Sequence, residues 1–186
     1  MAIESPKYEV VLKENKFEIR EYQGYLVAEV EIKGDYDRAL SSGFRILADY
    51  IFGNNKKSTH IAMTAPVTEI NAGQSEKVEM TAPVSAFSTE EGKYKISFMM
   101  PSKYTIDSLP QPNSEEIVFS KVEGYKAAVI RFSGFLNKKL VIKKQDELND
   151  WLNSYNLTPK SAFISAQYNP PWIPGLFRRN EIIVKV

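Results

Sequence analysis

The side chains best suited to contact a ligand lie in one loop near the C-terminus, residues 168–174, which read Tyr-Asn-Pro-Pro-Trp-Ile-Pro. Prolines restrict this backbone, so Trp172 would lose little conformational entropy on meeting a ligand. Arg178 and Arg179 follow, and guanidinium groups hold carboxylates well. The loop therefore indicates recognition of a ligand. The alternative is a surface loop whose tryptophan packs on its own domain and whose Arg178 pairs with Glu181.

Catalytic chemistry is much harder to find in this sequence. The single histidine, His60, stands beside Ser58 and Thr59 without metal-binding residues nearby, and such a histidine is usually solvated. There is no cysteine, no Gly-x-Gly-x-x-Gly, no phosphate loop and no Gly-x-Ser-x-Gly. Three glutamates are spread along predicted strands that face solvent on one side: Glu14, Glu18 and Glu21. The sequence therefore predicts a protein that is not an enzyme and holds no metal site.

The composition is that of a globular protein large enough for one core. Of its 186 residues, 43 % are apolar and 25 % are charged. Its 24 basic and 23 acidic side chains give a net charge of +1, which argues against a nucleic-acid partner. No apolar run is long enough for a membrane span, and the N-terminus lacks the layout of a signal peptide. We expect a cytoplasmic protein, and its oligomeric state stays open.

A five-residue motif, Met-Thr-Ala-Pro-Val, occurs twice, at residues 63–67 and 80–84. Proline cannot donate to a sheet ladder, so each copy marks the edge of a sheet or a bulge in it. Met63 and Met80 fill the barrel interior in the favoured interpretation, because methionine adapts to irregular gaps. Direct contact with a ligand is the alternative.

A longer repeat relates the two halves of the chain at an offset of one hundred residues. Gly24 and Tyr25 match Gly124 and Tyr125, and four of the eleven positions from 24 to 34 are identical. Ordinary residue usage predicts about one identity in such a window. The Gly-Tyr pairs separate predicted strands at 17–22 and 25–32, and at 117–122 and 126–132. The repeat predicts a single domain, 1–186, with pseudo-repeats of about 8–100 and 115–186.

Each half continues with one predicted helix and further strands. The first helix spans about 35–52, with Asp35 as its N-cap and Gly53 as its stop. The second spans about 137–155, and residues 101–114 connect the halves. Further strands are predicted at 61–68, 77–86, 94–100, 162–168 and 181–186. These elements predict an α+β fold, a pseudo-two-fold-repeated twisted antiparallel sheet or distorted barrel with two flanking helices.

Several of these motifs together resemble the SOUL/haem-binding protein family. They are the two Met-Thr-Ala-Pro-Val copies, the Tyr-Asn-Pro-Pro-Trp loop and the Arg-Arg-Asn-Glu start of the last strand. Phe-Glu-Ile-Arg-Glu-Tyr at 17–22 and Asp-Arg-Ala-Leu at 37–40 also resemble that family. The resemblance runs from about Tyr8 to the C-terminus. It implies a pseudo-symmetric twisted barrel with two helices that binds haem or other tetrapyrroles reversibly and without a covalent link.

The resemblance also implies a site for haem, in an open apolar groove between the first helix and the loop before the last strand. Some family members carry basic residues at the positions of Ser41, Asp49 and Ile173, where they face the haem propionates. This chain has none there, and Arg38, Arg45 and Arg178 are the substitutes. The implied cofactor-binding residues are Ser41, Phe44, Arg45, Ala48, Trp172, Ile173 and Arg178.

An axial histidine upstream of the first strands, proposed for some members, is missing from this chain. We therefore expect modest affinity that comes mainly from apolar burial. The resemblance implies a non-enzymatic haem carrier, buffer or sensor. One alternative is an effector-binding module for other flat or cationic apolar ligands, with Glu18 or Glu31 inside the groove. The other is a protein-interaction module that docks a partner on residues 168–174.

Overall fold

The computed structural model describes residues 4–56, 78, 83–90, 92–169 and 173–186. Several sequence-based predictions concern residues outside these ranges and stay predictions: the strand at 61–68, the first Met-Thr-Ala-Pro-Val copy, residues 80–82 of the second, His60 and Trp172. Neither helix in the described part of the chain combines the length and the apolar character that crossing a membrane requires.

The described residues form strands, two α-helices and two short 3-10 helices. In chain order the strands and α-helices are β1 (Tyr8–Glu14), β2 (Phe17–Tyr22), β3 (Tyr25–Lys33), α1 (Tyr36–Ile51), β4 (Asn55–Lys56), β5 (Val84–Glu90), β6 (Lys93–Met99), β7 (Gln111–Pro112), β8 (Val118–Val122), β9 (Tyr125–Phe132), α2 (Lys138–Ser154), β10 (Ile164–Gln167) and β11 (Asn180–Lys185). The 3-10 helices are Ile106–Ser108 and Gly175–Phe177. Both predicted helices are confirmed, and most predicted strands lie within two residues of the observed ones. The exception is the strand predicted at 77–86, since the observed strand begins only at Val84.

Within the described residues, nine strands form one antiparallel sheet in the order β1-β2-β9-β11-β10-β5-β6-β3-β8. Apart from the edge strand β1, this order is symmetric about the boundary between β10 and β5. On one side stand β10, β11, β9 and β2, and on the other stand β5, β6, β3 and β8. Strands that the hundred-residue offset relates therefore occupy equivalent places. The fold class is confirmed as a curled α+β sheet with two helices, while the boundaries of the pseudo-repeats stay a prediction.

The two Gly-Tyr turns of the repeat lie against each other. A Cβ added to Gly24 would lie 3.0 Å from the carbonyl oxygen of Val122, and one added to Gly124 would lie 3.0 Å from that of Tyr22. Glycine leaves room for this close approach, whereas a larger residue would require the facing backbone to shift by a few tenths of an ångström. The sheet therefore curls until its two halves touch, and it acquires a concave face.

Both helices pack on the convex face. Asp35 caps α1 by accepting a hydrogen bond from the backbone N–H of Arg38, and Gly53 follows the helix with a φ of +118°. The apolar side of α1, with Leu47 and Ile51 nearly fully buried, packs on β3 and β6. Its pattern of apolar residues at helical spacing is what the sequence predicts.

The second helix is held in the same way. Asn137 caps α2 by accepting from the backbone N–H of Leu140, and Leu148 and Leu152 are fully buried against β9 and β11. Trp151 stacks on Phe17 of β2, with ring centroids 5.0 Å apart and ring planes 2° from parallel. Because both helices lie on the convex face, neither covers the concave one.

Three features differ from the sequence-based prediction. The edge strand β1 was not predicted, because most of its side chains are exposed and give no alternating apolar pattern. The predicted connector 101–114 contains β7, which pairs with β4. Glu18, predicted to lie on a strand facing solvent, is only 2 % exposed, because it shares the concave face with the buried Arg20.

Candidate functional site

The predicted ligand residues of α1 differ in their accessibility. Ser41 and Arg45 are exposed on the outer face of the helix. Phe44 is half-buried and meets the ring of Phe98 at 60°, with centroids 5.4 Å apart. Ala48 is 8 % exposed and belongs to the core beneath the helix. The outer face of α1 is therefore polar, with the charges of Arg45 and Asp49 and one aromatic ring at its margin.

The turn before β11 brings Ile173 and Arg178 together. Nε of Arg178 donates a hydrogen bond to the carbonyl oxygen of Ile173 at 2.7 Å. The guanidinium carbon lies 4.7 Å from the centre of the Phe135 ring, within cation–π distance. In the alternative interpretation Arg178 pairs with Glu181, but the guanidinium that contacts this carboxylate from the same segment is that of Arg179, at 2.9 Å.

The same turn presents large apolar side chains to solvent. Phe135, Leu176 and Phe177 are 63 %, 85 % and 76 % exposed. Contiguous exposed apolar surface of this kind marks binding sites more often than chance placement does. We call Phe135, Leu176, Phe177 and Arg178 the loop patch. Trp172, which belongs to the predicted site, lies outside the described residues.

The loop patch and the outer face of α1 carry the types of side chain that the resemblance implies for the periphery of a porphyrin. Apolar side chains suit the macrocycle, and arginines suit the propionates. Within the described residues, no three His, Cys, Asp or Glu side chains come together to hold a metal ion. The chain has no cysteine, and its one histidine, His60, lies outside the described residues. No described residue therefore supplies an imidazole or thiolate for iron.

The concave face of the sheet holds a cavity of about 250 Å³ that the sequence did not predict. Its walls are mostly apolar and aromatic. Tyr25 and Tyr125 come from the two halves of the chain, and their hydroxyl oxygens are 3.2 Å apart. Burial raises the pKa of both hydroxyls, so both stay protonated near neutral pH. Further walls come from Tyr22, Val27, Phe87, Met99, Tyr168 and Ile183.

A row of polar side chains crosses this cavity from one strand to the next. Glu29 on β3 stands opposite Ser97 on β6, which stands opposite Ser85 on β5. The Glu29 side chain is 15 % exposed, and its Oε1 accepts from Lys95 Nζ at 3.2 Å and from Ser120 Oγ at 2.8 Å. The row therefore places a carboxylate and two hydroxyls within an otherwise apolar cavity.

A buried ion network borders the cavity on its other side. The fully buried Arg20 donates to both carboxylate oxygens of Glu181, at 2.9 and 3.0 Å, and to one oxygen of Glu18 at 2.7 Å. Tyr168 also donates to Glu181, at 2.8 Å. Burial by itself raises the pKa of the Glu181 carboxyl, but hydrogen bonds and positive charge from Arg20 and Arg179 outweigh it. The net pKa is lowered.

A second, more open cavity of about 460 Å³ adjoins the first. Pro6, Tyr25 and Met99 line both cavities, so they form the partition. The N-terminal segment is held there because Gln23 N–H donates to the carbonyl oxygen of Lys7 at 2.9 Å. This segment therefore sets one wall of the concave cavity.

The sequence missed the cavity for a specific reason. Charged residues alternate with apolar ones along Ala28-Glu29-Val30-Glu31-Ile32, which normally marks a strand with one solvated face. In the structure that face is concave, so Glu29 is mostly buried while Glu31 is exposed. Glu29 lines the cavity, whereas the two acidic residues expected in an effector-binding groove, Glu18 and Glu31, do not.

Comparison with known proteins places the chain in a family. A family model described as SOUL heme-binding protein matches residues 3–185. Heme-binding protein 1 of Xenopus laevis is 28 % identical over 167 residues, which cover 89 % of this chain and 81 % of that protein. Heme-binding protein 2 of Homo sapiens is 27 % identical over 169 residues, with coverages of 89 % and 76 %.

Solved structures share the fold at low sequence identity. The EcmrR C-terminal domain has a TM-score of 0.62 at 10 % identity and covers 96 % of each chain. A hydrolase from Listeria innocua has a TM-score of 0.56 at 14 % identity, covering 94 % of this chain and 93 % of its own. These likenesses show the fold alone. The family model, in contrast, spans nearly the whole sequence, and the chain belongs to the SOUL haem-binding protein family.

Proposed function

We propose that this protein binds haem or a related tetrapyrrole reversibly and without a covalent link, as a carrier, buffer or sensor and not as an enzyme. The observation that carries the proposal is the family match over residues 3–185. The proposed site is an open groove with Ser41, Phe44 and Arg45 on one side and the loop patch on the other. Bound haem would bring an iron centre with a strong Soret absorption.

The loop patch supports this assignment because its apolar side chains are accessible to a ligand without any rearrangement of the fold. Leu176 and Phe177 are already exposed, so covering them with a macrocycle removes apolar surface from water at roughly 25 cal/mol per Å². Arg45 and Arg178 supply positive charge for the propionates. An open groove covers only part of a porphyrin, so the affinity we propose is modest.

Haem titration followed by the Soret band tests the proposal. We expect a saturable shift at micromolar haem, and its absence would refute the proposal. Phe177→Ser should weaken binding about tenfold by removing apolar contact area. The matched control is Ile142→Ser, which changes a residue of α2 that is 47 % exposed and does not belong to the proposed site.

Charge substitutions test the polar part of the site. Arg45→Ala and Arg178→Ala should each weaken haem binding about two- to fivefold, the range expected for exposed ion pairs. Lys143→Ala, which removes an exposed cation from α2, should leave the affinity unchanged. His60→Ala should also change it little. A large loss in that variant would instead assign an axial role to His60.

A further inference from the structure

We propose that the concave cavity is a second binding site, separate from the haem groove, for a compact planar aromatic molecule with one N–H or O–H donor. Molecules of the indole or phenol type have this chemistry. The argument rests on the size of the cavity, on its walls and on the position of the Glu29 carboxylate.

The size of the cavity favours a compact ligand over a tetrapyrrole. Its volume is about 250 Å³. This volume lies below the ~300–1,000 Å³ typical of pockets for drug-sized ligands. It suits one fused bicyclic ring better than four linked pyrroles. We therefore expect the cavity and the haem groove to take different ligands.

The walls favour a flat aromatic ring. Tyr22 and Tyr125 stack with centroids 5.0 Å apart and planes 20° from parallel, which presents a rigid aromatic surface. Phe87 and Tyr168 add two further rings to the lining. Aromatic pairs gain energy beyond the area they bury when they stack with an offset or meet edge to face. The cavity is therefore preorganised for another ring.

The Glu29 carboxylate defines the polar group of the ligand. The two hydrogen bonds that this carboxylate accepts within the described residues, from Lys95 and Ser120, both reach Oε1. Oε2 has no partner among the described residues, and neither do the hydroxyls of Ser85 and Ser97 in the same polar row. No fully buried side-chain oxygen in the described chain lacks a partner, so these atoms are reachable from the cavity. Oε2 is therefore an open acceptor.

The charges around the cavity favour a neutral donor over a cation. Lys95, at 3.2 Å, already balances the charge of Glu29. Lys185 lies at the cavity wall, with its Nζ 4.9 Å from the centre of the Tyr125 ring. A cationic ligand would meet two ammonium groups for one carboxylate. A neutral N–H or O–H can bond to Oε2 without that repulsion.

Two isomeric probes test whether the ligand needs an N–H donor. 3-Methylindole and 1-methylindole have the same size and apolar area, but only the first keeps an N–H. Titrated into the full-length protein and followed by calorimetry, 3-methylindole should bind about tenfold more tightly. Equal affinities, or no binding of either probe, would overturn the proposal. Tryptamine, the cationic relative, should bind no more tightly than 3-methylindole.

Variants locate the interaction. Glu29→Gln should reduce the preference for 3-methylindole to about twofold, because the acceptor loses its charge. The control Glu31→Gln changes an exposed carboxylate on the same strand and should keep the full preference. Ala162 lines the cavity at an exposed position, so Ala162→Phe should place a ring in the cavity without perturbing the fold. The binding of both probes should become at least tenfold weaker.

A further measurement separates this site from the haem groove. In the NMR spectrum, 3-methylindole should shift the methyl resonances of three residues that line the cavity, Val27, Met99 and Ile183. Phe177→Ser should leave its binding unchanged, and haem should not displace it. Displacement by haem, or shifts confined to the loop patch, would overturn the assignment of a separate site. A failure of haem binding alone would not contradict the proposed site in the cavity.

Discussion

The hydroxyl oxygens of Tyr25 and Tyr125, one hundred residues apart in sequence, lie 3.2 Å apart across the concave cavity. Each tyrosine follows one of the two glycine turns, and each begins an equivalent strand, β3 or β9. This contact joins the two halves of the sheet at the point where the curl brings them together. The hydrogen bond therefore links the stability of the curl to the shape of the cavity.

Replacing either tyrosine by phenylalanine tests this link. Tyr25→Phe and Tyr125→Phe should each lower the free energy of unfolding by about 1 kcal/mol, because the remaining hydroxyl loses its partner. The double variant should lose less than the sum of the two single losses. Urea unfolding of all four proteins measures this coupling. Tyr155→Phe, at the residue that follows α2, is the control, and its effect should simply add to that of Tyr25→Phe.

The buried Arg20 should be among the most sensitive positions. Arg20→Met leaves the carboxylates of Glu181 and Glu18 without their main partner, and breaking a buried ion pair costs about 3–5 kcal/mol. Arg38→Met is the matched control. Its ion pair with Asp35, 3.3 Å long, lies on the surface, with the Arg38 side chain 88 % exposed. Thermal unfolding should separate the two variants clearly, and equal melting temperatures would contradict a structural role for the network.

The same network predicts how stability depends on pH. The pKa of Glu181 is lowered, mainly because the hydrogen bonds and charge of Arg20 outweigh burial, and the pKa of Glu18 is lowered for the same reason. A carboxyl whose pKa is lower in the folded protein than in the unfolded chain stabilises the folded state. This stabilisation is fully present above the unfolded-state pKa, near 4.3, and is lost as the pH falls through the folded-state pKa. Urea midpoints should therefore fall below about pH 4.3.

Glu181→Gln should flatten this pH dependence while lowering stability at neutral pH. Glu21→Gln, at an exposed position on β2, should leave the pH profile unchanged. A profile that keeps its full acid slope in Glu181→Gln would place the titrating groups elsewhere.

Gly43 should resist substitution although it lies inside a helix. A Cβ at this position would lie 2.8 Å from both Cβ and Cγ1 of Ile96, atoms too close to the backbone of β6 to move away. Alanine gains up to about 1 kcal/mol in helix propensity, but overpacking costs about 1–3 kcal/mol. We expect Gly43→Ala to be destabilised in thermal unfolding. Ser41→Ala, on the exposed face of the same helix, should not be, and adding Ile96→Ala should relieve part of the clash.

The sequence by itself determined the helices, most strands and the family. The apolar stripe of α1 with its Asp35 cap, and the glycines before Tyr25 and Tyr125, are local signals that depend on few neighbours. The edge strand β1 was not predicted, because its own residue pattern does not indicate a strand. Its pairing with β2 stabilises it. The bounds of the haem groove also remain an inference from resemblance, since Trp172 lies outside the described residues.

Only the tertiary structure decided which face of each strand is enclosed. Alternation in a strand shows that two faces differ, but it does not show whether the charged face meets solvent or a curved sheet. The curl turns that face inward, so it buries Glu18 with Arg20 and places Glu29 beside rings from both halves. The curl also joins residues far apart in sequence, such as Arg20 and Glu181 at a separation of 161 positions, and no local pattern encodes such contacts.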